Sequence, residues 1–569
     1  MISGDILIKI RALLDNYKNI DYLNQFLKQR TGILEFFPST QETEEFKQCV
    51  NNLHLINEKA EDLGDFQTPT HLTDRICKYL RDNGTVPDTI IEPTCGLGTF
   101  ILSSLKIFPS LKYVYCVEIQ KEYEWFFKLY LLQQSFEQKV NVDIEFHRDN
   151  IFTHRFSNKF TQFLNGFSKN ILILGNPPWV TNTELSVLNS DNVPYKSNIK
   201  RDRGIEAITG KGNFDIAEYI IIQMIQQFSN RPGKIAMLCK TSVMKNIIRD
   251  IRKTNLKLSN IKSVLIDTKK EFNINAKGGL FLADFGTHAE NFCTISSLYE
   301  KNYPSKKFGW RNDKFVSNID LYENYKYMDG KSPFVWRQGV KHDAAKVMVL
   351  SIKNNNMLNG LQEEVRVEEA LLFPFIKSSD LKTPVIRSSD RKIIITQTSL
   401  KEETEYIADK YPKLWKYLIS HSKHLDNRKS VIYKKRPRFS IFGIGDYAFK
   451  PYKVAISGFY KKSNFSLIFP INNKPAMLDD TCYYLFFDNF KDAFITWIIL
   501  NMDFTKEFLS ALVFLDSKRP YTKDILMRVQ IFKIAESLTY DGLNNFYQEH
   551  LAGYIEYNFN ETDFISYLH

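Results

Sequence analysis

The sequence has no pair of cysteines at the two-residue spacing of a zinc or redox motif. Its seven cysteines, Cys49, Cys77, Cys95, Cys116, Cys239, Cys293 and Cys482, are scattered along 569 residues. Neither a disulfide framework nor a metal site is expected from such spacing, and the thiols read as small buried hydrophobes. No apolar run approaches the roughly 20 residues a membrane span needs; runs such as Tyr219–Ile225 are interrupted within a few positions. Met1-Ile2-Ser3-Gly4-Asp5 lacks the basic and apolar regions of a secretion signal. The expectation is a soluble cytoplasmic protein with no membrane partner. Also missing are a G-x-G-x-x-G turn and a Walker lysine, so a nucleotide phosphate is not the expected ligand.

The chain has length and apolar content, 43% hydrophobic, enough for several cores and two to four domains. Its net charge of +11 is unevenly placed. Residues 1–300 carry 36 Lys+Arg against 34 Asp+Glu, whereas residues 301–569 carry 40 against 31. A near-neutral half joined to a basic, aromatic-rich half fits a catalytic domain beside a polyanion-binding one, although a merely solvated basic face would read the same by charge alone.

Ile171-Leu172-Ile173-Leu174-Gly175 ends at Asn176-Pro177-Pro178-Trp179, which reads as a buried strand stopped by a stiff turn. Each proline fixes its own φ and lacks an N–H. Carbonyl oxygens are thereby left beside an amide side chain and a large aromatic ring. Such a corner can accept hydrogen bonds from an –NH2 group and stack on the ring that carries it.

Three more strand tips precede this one. Thr89-Ile90-Ile91 runs into Glu92-Pro93-Thr94-Cys95-Gly96-Leu97-Gly98-Thr99, a glycine turn that permits close backbone approach to a ligand at a helix start. Tyr113–Val117 ends at Glu118, 26 positions after Glu92, where a carboxylate can accept both hydroxyls of a ribose. Val142–Phe146 leads to Asp149-Asn150. Recurrence at about 25 to 30 residues is the span of a βαβ unit, and the tips of successive parallel strands converge at one sheet edge. Upstream, Phe66-Gln67-Thr68-Pro69 suits a helix start, with an amphipathic helix from about Leu72 to Leu80. Later strands are expected at Lys234–Leu238 and Val264–Ile266, with a returning antiparallel strand at Phe281–Phe285.

Together these residues resemble class I S-adenosylmethionine-dependent methyltransferases, and most closely the gamma-class DNA adenine-N6 methyltransferases of restriction–modification systems. The resemblance implies a doubly wound, Rossmann-like α/β sheet over residues 61–300, after a helical extension (1–60) and before a mixed α/β target recognition domain (301–569). It makes S-adenosylmethionine the cofactor, held by Phe66, Thr68, Pro69, Glu92, Pro93, Cys95, Gly96, Gly98, Glu118, Ile119, Asp149, Asn150 and Asn176. Asn176 and Pro177 would grip the adenine amino group, and Trp179 would stack on the extruded base, a place where Tyr or Phe is commoner. Phe272 is a further candidate for base stacking, with core packing as its alternative.

The polar segment Thr181–Gly212 is too long for an inert loop. It supplies Lys196, Lys200, Arg201 and Arg203 as phosphate candidates, joined by Arg436 and Arg438 in the basic run Lys423–Arg438 and by Lys518 and Arg519. The expected partners are double-stranded DNA and a separate restriction endonuclease, with the enzyme acting as a monomer. Alternatives from the same motif are protein glutamine or RNA base N-methylation and cytosine-N4 methylation of DNA. A non-catalytic DNA-binding specificity subunit is a further one. Glu45-Phe46-Lys47 matches a nuclease fragment but lacks its upstream Pro-Asp partner, and His342 and Asp479-Asp480 are assigned no role.

Overall fold

The computed structural model describes residues 4–16, 19–51, 66–181, 215–286, 288–354, 356–434 and 436–568. The chain divides into two compact units, Met1–Phe315 and Val316–His569.

In the first unit the β-rich runs form one sheet of ten strands: β1 (Thr89–Glu92), β2 (Tyr113–Glu118), β3 (Asp143–Arg148), β4 (Ile171–Gly175), β5 (Gly233–Lys240), β6 (Leu258–Ile266), β7 (Gly278–Phe285), β8 (Phe292–Ser297), β9 (Lys306–Arg311) and β10 (Lys314–Val316). Their order is β10-β9-β8-β6-β7-β5-β4-β1-β2-β3. β1 pairs in parallel with both β2 and β4, so the strand order reverses there, and the chain ends of the parallel strands open a crevice at that switch point. β7 returns antiparallel between β5 and β6. This is the class I methyltransferase topology. β1, β2 and β4 are buried along their whole length, as near-continuous Ile, Val, Leu and Tyr runs require when helices cover both faces.

Those helices follow from amphipathic sequence and local caps. Thr70–Asp82 starts behind Pro69, and Thr99–Ile107 starts behind Gly98 in the left-handed region (φ 71°). A Cβ on Gly98 would lie 2.0 Å from the ring of Phe127, which is why only glycine fits where this turn meets the helix Lys121–Glu137. Asp215 caps Ile216–Gln227 through the Ala217 N–H.

The N-terminal region contributes the helices Gly4–Asn16, Ile20–Thr31 and Thr40–Asn51, and Ile33 forms a parallel bridge with Ile144 on β3. Buried Lys128 donates to the Phe36 carbonyl and pairs with Glu124, so the extension packs into this unit. Glu45 of the nuclease-like tripeptide is held by Lys121 and Gln41.

The second unit is mixed α/β. One five-stranded sheet runs in the order Arg337–Gln338, Cys482–Phe487, Tyr452–Ser457, Phe465–Ile468, Val385–Ile386. The other runs Asn356–Leu358, Val349–Lys353, Arg391–Ile394, Leu372–Ile376, Met477–Leu478. The helix Phe490–Asn501 is buried over most of its length, with Phe494 and Trp497 at the centre of this unit's core. Six of the seven cysteines are buried. Among the described residues no helix is long and apolar enough to cross a membrane.

Candidate active site

The crevice at the reversal of strand order is a cleft of about 970 Å³, counting its open mouth. The tips of β1, β2 and β4 and the turn after β3 supply its polar lining, because parallel strands all end on one side. Phe66, Thr68, Glu92, Pro93, Cys95, Gly96, Glu118, Ile119, Asp149, Asn150 and Asn176 line it. Pro69, Gly98, Pro177 and Trp179 are not on its wall. Sequence reasoning missed Gln67, Gln120, Phe152 and Ile220, which are. Gln67 had a signal, lying inside the Phe-x-Thr-Pro turn; its Oε1 accepts the Leu97 N–H at 3.1 Å and so joins that turn to the glycine loop.

Glu92 is buried, and its Oε2 has no hydrogen-bond partner. Burial, with the neighbouring Cys116 thiol and Glu118 carboxylate, holds its carboxyl well above the ordinary range. An unpaired buried carboxylate is costly and calls for a cation or a donor. Glu118 is differently satisfied: Oε2 accepts the Gly96 N–H at 2.7 Å, and Oε1 accepts those of Ile119 and Gln120 at 2.9 Å each.

Asp149 is half-exposed beyond β3. Oδ1 accepts the Asn150 N–H at 2.7 Å, and Oδ2 lies 2.8 Å from Nδ1 of His154. Partial burial works against its ionisation, but the hydrogen bonds from His154 and Asn150 outweigh it and hold the carboxyl below its ordinary range. Buried His154 is fixed in turn by Tyr115, whose hydroxyl lies 2.8 Å from Nε2. No sequence pattern announced His154.

Asn176 follows the last residue of β4. Its Nδ2 donates to the Phe66 carbonyl at 2.8 Å and to Thr68 Oγ1 at 3.2 Å, and its Oδ1 accepts the Trp179 indole N–H at 2.9 Å. Trp179 was expected to offer an open ring face. Instead it is 4% exposed, edge-on to Phe66 and Phe272 at centroid distances of 6.3 and 5.8 Å. The indole is large enough to fill the space between these rings, and its N–H seeks an acceptor once buried. Phe272 packs against the same core and also meets Phe66 at 6.2 Å.

Lys196, Lys200, Arg201 and Arg203 lie outside the described residues. Thr181 and Asp215, on either side of that segment, form an antiparallel bridge. In the second unit Arg436, Arg438 and Lys518 are exposed. Arg438 pairs with Asp426 at 3.0 Å. Half-buried Arg519 lies 4.8 Å from the Phe459 ring and 3.8 Å from Asp480. Arg428, part of the same basic run, is turned inward: it donates to the carbonyls of Leu425, His342 and Ser440 and stacks 3.7 Å from the Tyr433 ring.

The N-6 DNA methylase family matches residues 53–368. The type II methyltransferase M.NspV of Nostoc sp. is 39% identical over 492 residues, spanning 85% of this chain and 99% of that protein. Among solved structures, the type IIL restriction–modification enzyme MmeI, determined with DNA, aligns over 95% of this chain and 78% of its own at 10% identity and a TM-score of 0.48. The type IIG restriction endonuclease BpuSI aligns over 95% and 71%, at 13% identity and a TM-score of 0.36. On the family match across more than half of its residues, and on its kinship with M.NspV over most of its length, this chain belongs to the N-6 DNA methylase family.

Proposed function

We infer that the chain is the modification methyltransferase of a restriction–modification system, methylating the N6 amino group of adenine at a specific site in double-stranded DNA. The observation that carries this reading is Asn176 on the cleft wall, its amide nitrogen tied to Phe66 and Thr68 and its oxygen, which accepts the Trp179 indole N–H, retaining a second lone pair to meet a substrate amine.

The cleft suits S-adenosylmethionine. The orphaned Oε2 of buried Glu92 fits a ligand that carries an ammonium group. Glu118, at the tip of β2, is placed to accept hydrogen bonds from ribose hydroxyls, and Asp149 can accept a hydrogen bond from the adenine amino group. Ile119 is an apolar surface for the adenine ring, the Phe66-Gln67-Thr68-Pro69 turn would close over the methionine end, and the Gly96–Gly98 turn lets the backbone come close. When bound, this cofactor supplies an electrophilic methyl carbon on a sulfonium centre.

The exocyclic nitrogen of adenine is conjugated with its ring and is a poor nucleophile. Asn176 Oδ1 and the Pro177 carbonyl would each accept one of its protons, favouring a pyramidal nitrogen with its lone pair free. Held so, the reacting atoms gain from orientation, which can contribute about 7–11 kcal/mol to a barrier. Extruding the base from the duplex costs a few kcal/mol, offset by these hydrogen bonds and by the phosphate grip.

That grip is assigned to the second, basic unit as target recognition domain, with Arg436, Arg438, Lys518 and Arg519 as contacts, and to Lys196, Lys200, Arg201 and Arg203. A separate endonuclease is the expected companion, and a monomer the acting form. Sequencing the modified bases in DNA from cells that express the protein tests the whole reading. N6-methyladenine confined to one short sequence is the expected result; N4-methylcytosine, or no modified base, would overturn it.

A further inference from the structure

The two ends of the Asn176 carboxamide are distinguished by their neighbours. An indole N–H can only donate, and a backbone carbonyl can only accept. With Trp179 Nε1 2.9 Å from Oδ1 and the Phe66 oxygen 2.8 Å from Nδ2, half a turn of the amide would set N–H against N–H and oxygen against oxygen. The orientation is therefore locked from both ends, one end by the turn before the helix Thr70–Asp82 and the other by the indole.

The indole is itself held. Phe66 and Phe272 meet its ring edge-on, at interplanar angles of 68° and 61°. At the start of β7, Gly278 leaves so little space that a Cβ there would stand 2.4 Å from Cη2 of Trp179. A ring confined in this way points its N–H in one direction. We propose that Trp179 is a positioning residue, acting through its indole N–H. It keeps one lone pair of Asn176 Oδ1 occupied and the carboxamide unflipped, so that the other lone pair is presented to the substrate amine. This rests on the reading of Asn176 as acceptor of that amine. Phe or Tyr could fill much of the volume, but neither places a donor at this point. Preorganised dipoles that need no rearrangement during reaction are the largest single source of catalytic stabilisation in many enzymes.

The test removes the N–H and keeps the shape. Trp179 is replaced site-specifically by benzothienylalanine, in which sulfur stands for the N–H, and in parallel by 5-fluorotryptophan, which keeps it; Trp179→Phe is the third variant. The expected result is a kcat about tenfold lower or more for benzothienylalanine and Phe, tenfold being about 1.4 kcal/mol of barrier. Affinities for S-adenosylmethionine and DNA, and the unfolding midpoint, should stay near wild type. The fluorinated enzyme should turn over normally. Wild-type kcat with benzothienylalanine would overturn the proposal. So would a parallel loss of cofactor affinity, which marks a structural role. Asn176→Ala separates the two readings: if it methylates normally, Asn176 itself leaves the mechanism; if it is inactive while benzothienylalanine is active, only the positioning role falls.

Discussion

Glu118 accepts the backbone N–H of Gly96 at 2.7 Å, so the end of β2 holds the glycine turn that follows β1. The bond joins the two halves of the proposed cofactor cleft before any ligand arrives. Glu118→Ala removes the acceptor for three backbone donors, and unsatisfied buried donors cost about 1–3 kcal/mol each. We expect a lower unfolding temperature and an S-adenosylmethionine affinity reduced about a hundredfold, measured by scanning and titration calorimetry. Wild-type affinity would remove Glu118 from the ligand's contacts.

Glu92 predicts a pH dependence. Its folded carboxyl lies above the 4.5 of a free glutamate, so the folded chain binds more protons than the unfolded chain once the pH passes that value. Stability therefore falls as pH rises from 4.5 toward the folded pKa. Glu92→Gln should flatten this slope in unliganded protein, read from denaturation midpoints at pH 5 and pH 8. Binding of a cationic ligand should release a proton from the wild type and not from the variant. Calorimetry in buffers of different ionisation enthalpy reads that difference; equal proton release in both would contradict the assignment.

Gly98→Ala should destabilise the first unit by about 1–3 kcal/mol, because it combines a left-handed backbone with overpacking. The Phe127 ring occupies the space that a methyl group would need. Cofactor binding should fall with it, and a variant as stable as wild type would show that the turn relaxes freely.

DNA affinity should fall steeply with salt, since each phosphate neutralised contributes a slope of about −0.9 in log K against log salt. Arg436→Ala and Arg438→Ala should each reduce that slope by about one, with base preference kept. Arg428→Ala should instead lower stability, because its guanidinium holds three carbonyls inside the second unit. A salt slope unchanged in Arg436→Ala and Arg438→Ala would take these residues off the phosphates.

The repeating strand-and-tip pattern was legible in sequence because it is local. Thr89–Glu92, Tyr113–Glu118 and Ile171–Gly175 are short apolar runs ended by residues that stop a strand, and β7 could be placed because Gly278-Gly279 precedes the apolar run Leu280-Phe281-Leu282-Ala283. Contacts that join distant positions had no such signature. Asn176 meets Phe66 across 110 residues, and Tyr115 meets His154 across 39. Ile33 joins the edge of β3 from the N-terminal extension, a bridge that no periodicity could announce.

What the amino-acid sequence determined by itself was the order of the elements and the chemistry at the strand tips, because period, turn residues and side-chain type are properties of neighbouring positions. Whether Trp179 would offer its face or its N–H, and whether Arg428 would point at solvent or at three carbonyls, depended on the space left when remote elements packed. Burial leaves a polar group only the partners that lie within reach, and those are chosen by the fold.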